Sequence, residues 1–314
     1  MRIADAYGLG KFGLSFEIFP PKTEAGEAQL FSVLGELMAF RPSMVTCTYG
    51  AGGSTQDKTL ELVVRIRETF KVSTVAHLTC VGSTVEELRH WLKRATEMEI
   101  ENIIALRGDP PQGETAFRQV EGGLAYANEL VALLRREFPN FGVGVAGYPE
   151  RHQEAPSAEV DLANLQRKVN AGADVVITQL FYGNRDFFEF SERYRRAGIS
   201  LPLVPGVLPV INLAQIQRIT SLCGATLPPG FVADLEKHRE DPAGQVSVGV
   251  EYAVRQCREL IGSGIPGLHF YVLNRAEATL RILEALNLPR TPSPQPSPDS
   301  LAPGGGEGQG EGAL

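Results

Sequence analysis

Apolar residues recur along the chain in two alternating rhythms. Short runs rich in β-branched and other apolar side chains stand at 14–19, 44–48, 73–78, 102–106, 141–146, 175–179, 203–207 and 268–271. Between them lie longer stretches in which apolar positions return every three to four residues: 28–38, 58–70, 85–98, 124–137, 161–171, 187–197, 213–222 and 246–261. The first rhythm predicts strands and the second amphipathic helices. Thr84, followed three residues on by Glu87, predicts a capping box at the start of one helix. Eight strands alternating with eight helices predict an α/β fold of the (β/α)8 barrel type, typically about 250 residues long. The near-continuous apolar strands suit a parallel sheet covered on both faces. A doubly wound open sheet is the competitor, disfavoured because no G-x-G-x-x-G follows the first strand.

Composition changes this picture at one end only. Residues 291–314, TPSPQPSPDSLAPGGGEGQGEGAL, have little to bury and are expected to form a disordered tail behind a single domain at 1–290. The 314 residues are 43% hydrophobic and 21% charged, as in an ordinary globular protein. A net charge of −7 argues against nucleic acid or an anionic membrane as partner. No run of about 18 apolar residues and no secretory signal is present, so a soluble, cytoplasmic protein is expected. Cys47, Cys80, Cys223 and Cys257 are scattered, without a C-x-x-C pair, and predict neither a zinc site nor a disulfide framework.

Unusual polar residues fall where strands end: Glu17, Thr48, His77, Asp109 and Gln179. In a barrel those ends converge on the face that carries chemistry, so five dispersed residues are expected to share one pocket. Glu17 is a carboxylate within an apolar strand, SFEIFPPK. It either finds a partner or has its pKa raised, as a general acid requires, and a plain structural tie is an equal reading. VTCTYGAGGST (45–55) runs from strand into a glycine-rich turn, which suits close approach of a ligand or merely a tight turn. His77, at the end of the third strand, is more often a hydrogen-bonded structural residue than a catalyst, and no second His or carboxylate at ligand spacing supports a metal.

IALRGDPP (104–111) is the most specific local signature. Arg107 can pair with phosphate, Gly108 admits a flat ring and Asp109 can stabilise positive charge, unless an Arg–Asp pair simply pins the loop. After VAGYPERH (145–152), Asp161, Asn164 and Lys168 share one helix face, and such a stripe is most often solvated. Phe181 and Tyr271 suit either aromatic core or stacking on a heteroaromatic ring.

Together these motifs resemble the catalytic domain of methylenetetrahydrofolate reductase. SFEIFPPKT, VTCTYGAGGST, HLTCVG, NIIALRGDPP, GVAGYPERH, RKVNAGADVVITQLFY, PLVPGVLPV and GLHFYVLNRAE stand in family order over about 14–288. The resemblance implies FAD as bound cofactor, NADH or NADPH as reductant and 5,10-methylenetetrahydrofolate as substrate. It implies a ping-pong cycle, and a homo-oligomer. It places Glu17 at the proton donor that opens the folate ring, and Asp109 beside the flavin and pterin. Gln179 and Arg275 match folate contacts. Thr48, His77, Arg107, Gly108, Tyr126, Ala127, Tyr148, His152, Asp161, Asn164, Arg167 and Lys168, with Asp109, match FAD-binding positions. TLPPGFVADL (226–235) offers no residue matching the polar folate contact of bacterial relatives. Inhibition by S-adenosylmethionine is not expected, because the regulatory domain of eukaryotic relatives is not in the sequence.

Three rivals remain on the residues alone. They are a flavin barrel with another acceptor, a non-catalytic binding barrel, and a Schiff-base lyase. The last lacks a lysine at any strand end.

Overall fold

The computed structural model describes residues 1–8, 10–48, 56–109 and 117–290. The glycine-rich turn at 49–55, Pro110 and Pro111, and the segment 291–314 lie outside them. The strands are β1 Gly13–Ile18, β2 Met44–Cys47, β3 Ser73–Thr79, β4 Asn102–Leu106, β5 Gly142–Gly147, β6 Val175–Thr178, β7 Leu203–Val204, β8 Gly206–Val207 and β9 Gly267–Tyr271. All pair in parallel, in the order β7-β6-β5-β4-β3-β2-β1-β9-β8. The helices are α1 Ile3–Ala6, α2 Glu24–Leu37, α3 Gln56–Phe70, α4 Val85–Glu97, α5 Ala127–Glu137, α6 Ala158–Asn170, α7 Asn184–Arg196, α8 Leu213–Cys223, α9 Pro229–Lys237, α10 Pro242–Gly262 and α11 Glu277–Ala285. The capping box predicted for α4 is present, with Thr84 and Glu87 bonded reciprocally.

β7 and β8 are the two halves of the single strand expected at 203–207, parted at Pro205, which has no N–H to give to a ladder. The first half bonds to β6 and the second to β9, so this bent strand closes the barrel. Side chains satisfy the seam. Gly206 N–H donates to the Thr178 hydroxyl (2.9 Å), and the Tyr271 hydroxyl donates to the Thr178 carbonyl (2.7 Å). A Cβ on Gly206 would stand 2.3 Å from that carbonyl oxygen and 2.7 Å from the Tyr271 ring, so the closure requires glycine.

Strand alternation divides the interior. Leu14, Phe16 and Ile18 of β1 join the large core between sheet and helices, while Ser15 and Glu17 point to the barrel axis. One end of the axis is filled by apolar side chains. Ile3, Ala6 and Tyr7 of α1 and its cap pack with Met44, Val75, Ile104, Val175, Ile177 and Val204. Gly142 and Gly144 leave room for this plug, since a Cβ on either would lie 3.1 Å from Ile3 side-chain atoms. Ile3 N–H donates to Asn102 Oδ1 (2.7 Å), and burying Ile3 contributes about 1.5–3 kcal/mol. The four-residue α1 is too short to show helical periodicity, and the sequence pattern missed it. It also missed α9 and α11.

Candidate active site

The opposite end of the axis is open. The carboxyl ends of the strands surround a cavity of about 470 Å³ lined by Glu17, Thr48, His77, Asp109 and Gln179, the five polar residues expected to meet. They are joined there by Arg107, Gly108, Tyr148, His152 and Tyr271. Gly108 has a left-handed φ of 91°, and a Cβ there would lie 2.4 Å from Val81, so β4 can turn out of the sheet at this point only with glycine.

Glu17 found partners rather than isolation. Its Oε2 lies 3.2 Å from His269 Nε2 and 3.4 Å from His77 Nε2. Burial pushes the carboxyl up, but the charge of His77 and the hydrogen bond and charge of His269 pull it down further, so its net shift is downward. This departs from the raised value that a free-standing general acid has. Burial pushes His77 down, with Glu17 opposing and His269 reinforcing. Behind the carboxylate the chain of contacts continues: His269 Nδ1 is 2.7 Å from Ser15 Oγ, which is 2.6 Å from the Tyr7 hydroxyl. Among the described residues no group of His, Cys, Asp and Glu is arranged to hold a metal ion.

A second cavity of about 410 Å³ opens beside the first and shares Leu106, Arg107, Ala146, Tyr148 and His152 with it. Tyr126, Ala127, Glu154, Asp161, Asn164, Arg167 and Lys168 are among its other lining residues. The α6 stripe therefore faces a groove rather than open solvent. Asp161 accepts from His152 N–H (3.2 Å), and Arg167 donates to Asn164 Oδ1 (2.8 Å). Lys168 Nζ donates to the Ala146 carbonyl (2.5 Å) and lies 5.7 Å from the centre of the Tyr148 ring. Burial pushes its pKa down to about 8, with Asp161 opposing.

Arg107 does not pair with Asp109. Its guanidinium forks onto Glu154 (2.5 and 2.7 Å) and stacks over Phe117 (4.9 Å). Arg275 stands apart from both cavities, exposed in the turn after β9. Gln179 lines the first cavity while its Oε1 accepts from Leu180 N–H (2.8 Å). Phe181 stacks on Phe187 within the core (5.3 Å), whereas Tyr271 borders the cavity. The segment 226–235 is tied down by Glu150, which accepts from Thr226 N–H (3.0 Å), and by Phe231 stacked on Tyr252 (3.9 Å).

Sequence reasoning missed His269, Ser15 and Glu154 as members of the site. A signal for the first two existed. The first and last strands of a barrel are neighbours, and Ser15 and His269 are paired in register across β1 and β9.

Comparison with known proteins agrees with this architecture. The chain is 40% identical over 297 residues to methylenetetrahydrofolate reductase (NADH) 1 of Zea mays, covering 91% of this chain and 50% of that protein. It is 35% identical over 279 residues to the 5,10-methylenetetrahydrofolate reductase of Escherichia coli strain K12, covering 89% of this chain and 92% of the relative. The chain thus spans about half the length of the plant relatives it matches and nearly all of the bacterial one. A solved structure of an uncharacterized protein from Clostridium thermocellum that binds two copies of 5-methyl-5,6,7,8-tetrahydrofolic acid shares the fold. Its TM-score is 0.56 at 16% identity, over 88% of this chain and 94% of that one. A family model for methylenetetrahydrofolate reductase matches residues 2–287, the whole barrel with its plug, its seam and both cavities, and the chain belongs to that family.

Proposed function

We propose that the protein reduces 5,10-methylenetetrahydrofolate to 5-methyltetrahydrofolate with NADH or NADPH, using FAD held in the joined cavities. The observation that carries this reading is the position of Glu17. Its carboxylate borders the axial cavity, backed by two imidazoles, next to a groove rich in cations. The donor set fits a flavin dinucleotide. Arg107, His152, Arg167 and Lys168 suit a diphosphate, and Asp161 and Asn164 suit ribose hydroxyls. At the axial cavity, His77 Nε2, in ion-pair range of Glu17 but not hydrogen-bonded to it, and Thr79 Oγ1 are buried without hydrogen-bond partners among the described residues, which suits the polar edge of a ring system. Thr48, Gly108, Tyr126, Ala127 and Tyr148 complete this binding surface.

When bound, FAD carries the hydride from the nicotinamide to the folate-borne carbon. The protein's own groups do the rest. Glu17 delivers a proton to the folate amine nitrogen, opening the five-membered ring to an electrophilic iminium. Closing the cavity over substrate removes water and strengthens burial, the influence that raises the carboxyl and readies it to donate. Asp109, at the cavity mouth, stabilises the resulting cation electrostatically. Gln179 orients the pterin, and Arg275, outside the cavity, takes the glutamate tail. The plant relatives are named for NADH, which favours that reductant here.

Anaerobic stopped-flow absorbance tests the reading. Nicotinamide is expected to bleach the flavin in wild type and in Glu17→Gln alike. Reoxidation by methylenetetrahydrofolate is expected to slow in the variant by about 10²–10⁴-fold. Reduced wild-type flavin that ignores the folate, or a variant that reoxidises at the wild-type rate, would overturn it.

A further inference from the structure

We propose that Tyr7, in the plug at the closed end of the barrel, sets the direction of the hydrogen bonds that hold Glu17 and is therefore a positioning residue for the proton donor. This rests on the reading of Glu17 as that donor. Tyr7 reaches Glu17 through three contacts in series: to Ser15 Oγ at 2.6 Å, on to His269 Nδ1 at 2.7 Å, and from His269 Nε2 to Glu17 Oε2 at 3.2 Å. Tyr7 is 2% exposed, and Ser15 and His269 are both 0% exposed, so bulk water does not reach the three groups.

Hydrogen counting gives the chain a polarity. Ser15 has one hydroxyl hydrogen and two partners, so one partner must donate to it. Among the described residues Ser15 is the only hydrogen-bond partner of the Tyr7 hydroxyl. Burial pushes the phenol well above its usual range, so the hydroxyl keeps its hydrogen, with the Ser15 bond opposing that shift. If Tyr7 donates to Ser15, then Ser15 donates to His269 Nδ1. In the neutral form of the imidazole the hydrogen then sits on Nε2 and is presented to Glu17, and every group is satisfied. If instead His269 donates from Nδ1, Ser15 must donate to Tyr7, which strands the phenol hydrogen in an apolar cluster. A neutral imidazole would then turn a lone pair on Nε2 toward the carboxylate. The phenol thus selects the Nε2–H tautomer and fixes Glu17 as an acceptor of that bond.

The surroundings hold Tyr7 for this task. Gly13 opens β1, and a Cβ there would lie 2.4 Å from the Tyr7 ring. The helix carrying Tyr7 is pinned at its start by the bond from Ile3 N–H to Asn102.

The test reads the tautomer directly. The full-length protein, labelled with ¹⁵N at its five histidines, is examined by long-range ¹H–¹⁵N correlation, with His269 assigned by its loss in His269→Asn. Wild type is expected to show His269 protonated at Nε2 and bare at Nδ1. Tyr7→Phe, which keeps the ring, is expected to bring in the Nδ1–H form. It should slow flavin reoxidation by folate roughly fivefold while leaving reduction by nicotinamide unchanged. Ser15→Ala cuts the same chain one link further on. It should also abolish the single tautomer, and Tyr7→Phe should add nothing on that background. If Tyr7→Phe proves unstable, the Ser15→Ala spectrum alone decides. Wild-type His269 protonated at Nδ1, or a tautomer indifferent to both variants, overturns the proposal. Because the spectrum needs no folate turnover, a protein that failed to reduce folate would sink the proposed reaction and leave the tautomer result standing.

Discussion

Glu17 and Lys168 are both charged side chains withdrawn from bulk water, one at the axial cavity and one in the adjoining groove. Their neighbours differ in kind. Glu17 has two imidazole nitrogens at 3.2 and 3.4 Å, whose combined pull outweighs burial and shifts the carboxyl downward. Lys168 donates to a backbone carbonyl at 2.5 Å, and its counter-charge, Asp161, acts without a direct contact. Burial therefore wins, and the amine falls to about 8. A titratable partner at contact distance fixes charge, whereas a carbonyl and a more distant carboxylate leave it adjustable. The axial site thus keeps its carboxylate paired against the pull of burial. The groove carries a charge that a rise in pH can remove.

The comparison can be broken most strongly at the lysine. Lys168→Met is expected to weaken FAD binding about tenfold or more, read by quenching of flavin fluorescence. Glu17→Gln should leave that titration nearly unchanged, and equal losses in both variants would erase the distinction. Next comes pH. An amine pushed down to about 8 is charged below that value and neutral above it, so FAD affinity should fall as pH rises from about 7 to about 9. The fall should not exceed the loss in Lys168→Met, and it should vanish in Lys168→Arg, whose guanidinium stays charged. A profile flat in wild type would show that the amine keeps its proton. The smallest effect belongs to Asp161→Asn. Removing the carboxylate that pulls Lys168 upward should move the inflection to lower pH, with affinity at neutral pH changed by no more than about threefold.

Much of this arrangement was legible in the residues. Periodicity alone predicted the barrel, and the rule that chemistry gathers at strand ends brought Glu17, Thr48, His77, Asp109 and Gln179 to one pocket. The α6 stripe was ambiguous by pattern, because polar residues at helical spacing look the same toward water and toward a groove. Only the packing of α6 beside β5 decides between them. The net shift of Glu17 was out of reach for a different reason. Whether a buried carboxylate goes up or down depends on what lies opposite, and His269 is 252 residues away in sequence. Arg275 shows the converse: its motif is well formed, yet its side chain lies outside both cavities. The break at Pro205 was visible as a proline, but its use as a closing corner depends on Thr178 and Tyr271 answering it.

The closing corner also bears on how the molecule comes to exist. β9 bonds on one side to β1 and on the other to the second half of the bent strand, so the ring is shut by the pairing of its first and last strands. Contacts of such long sequence separation demand loop closure over nearly the entire domain and tend to form late. Until β9 pairs with β1, the carboxylate of Glu17 has no His269 behind it. Pairing of the final strand completes the sheet and the Glu17–His269 contact together. The partner behind Glu17 is thus in place only in the closed barrel.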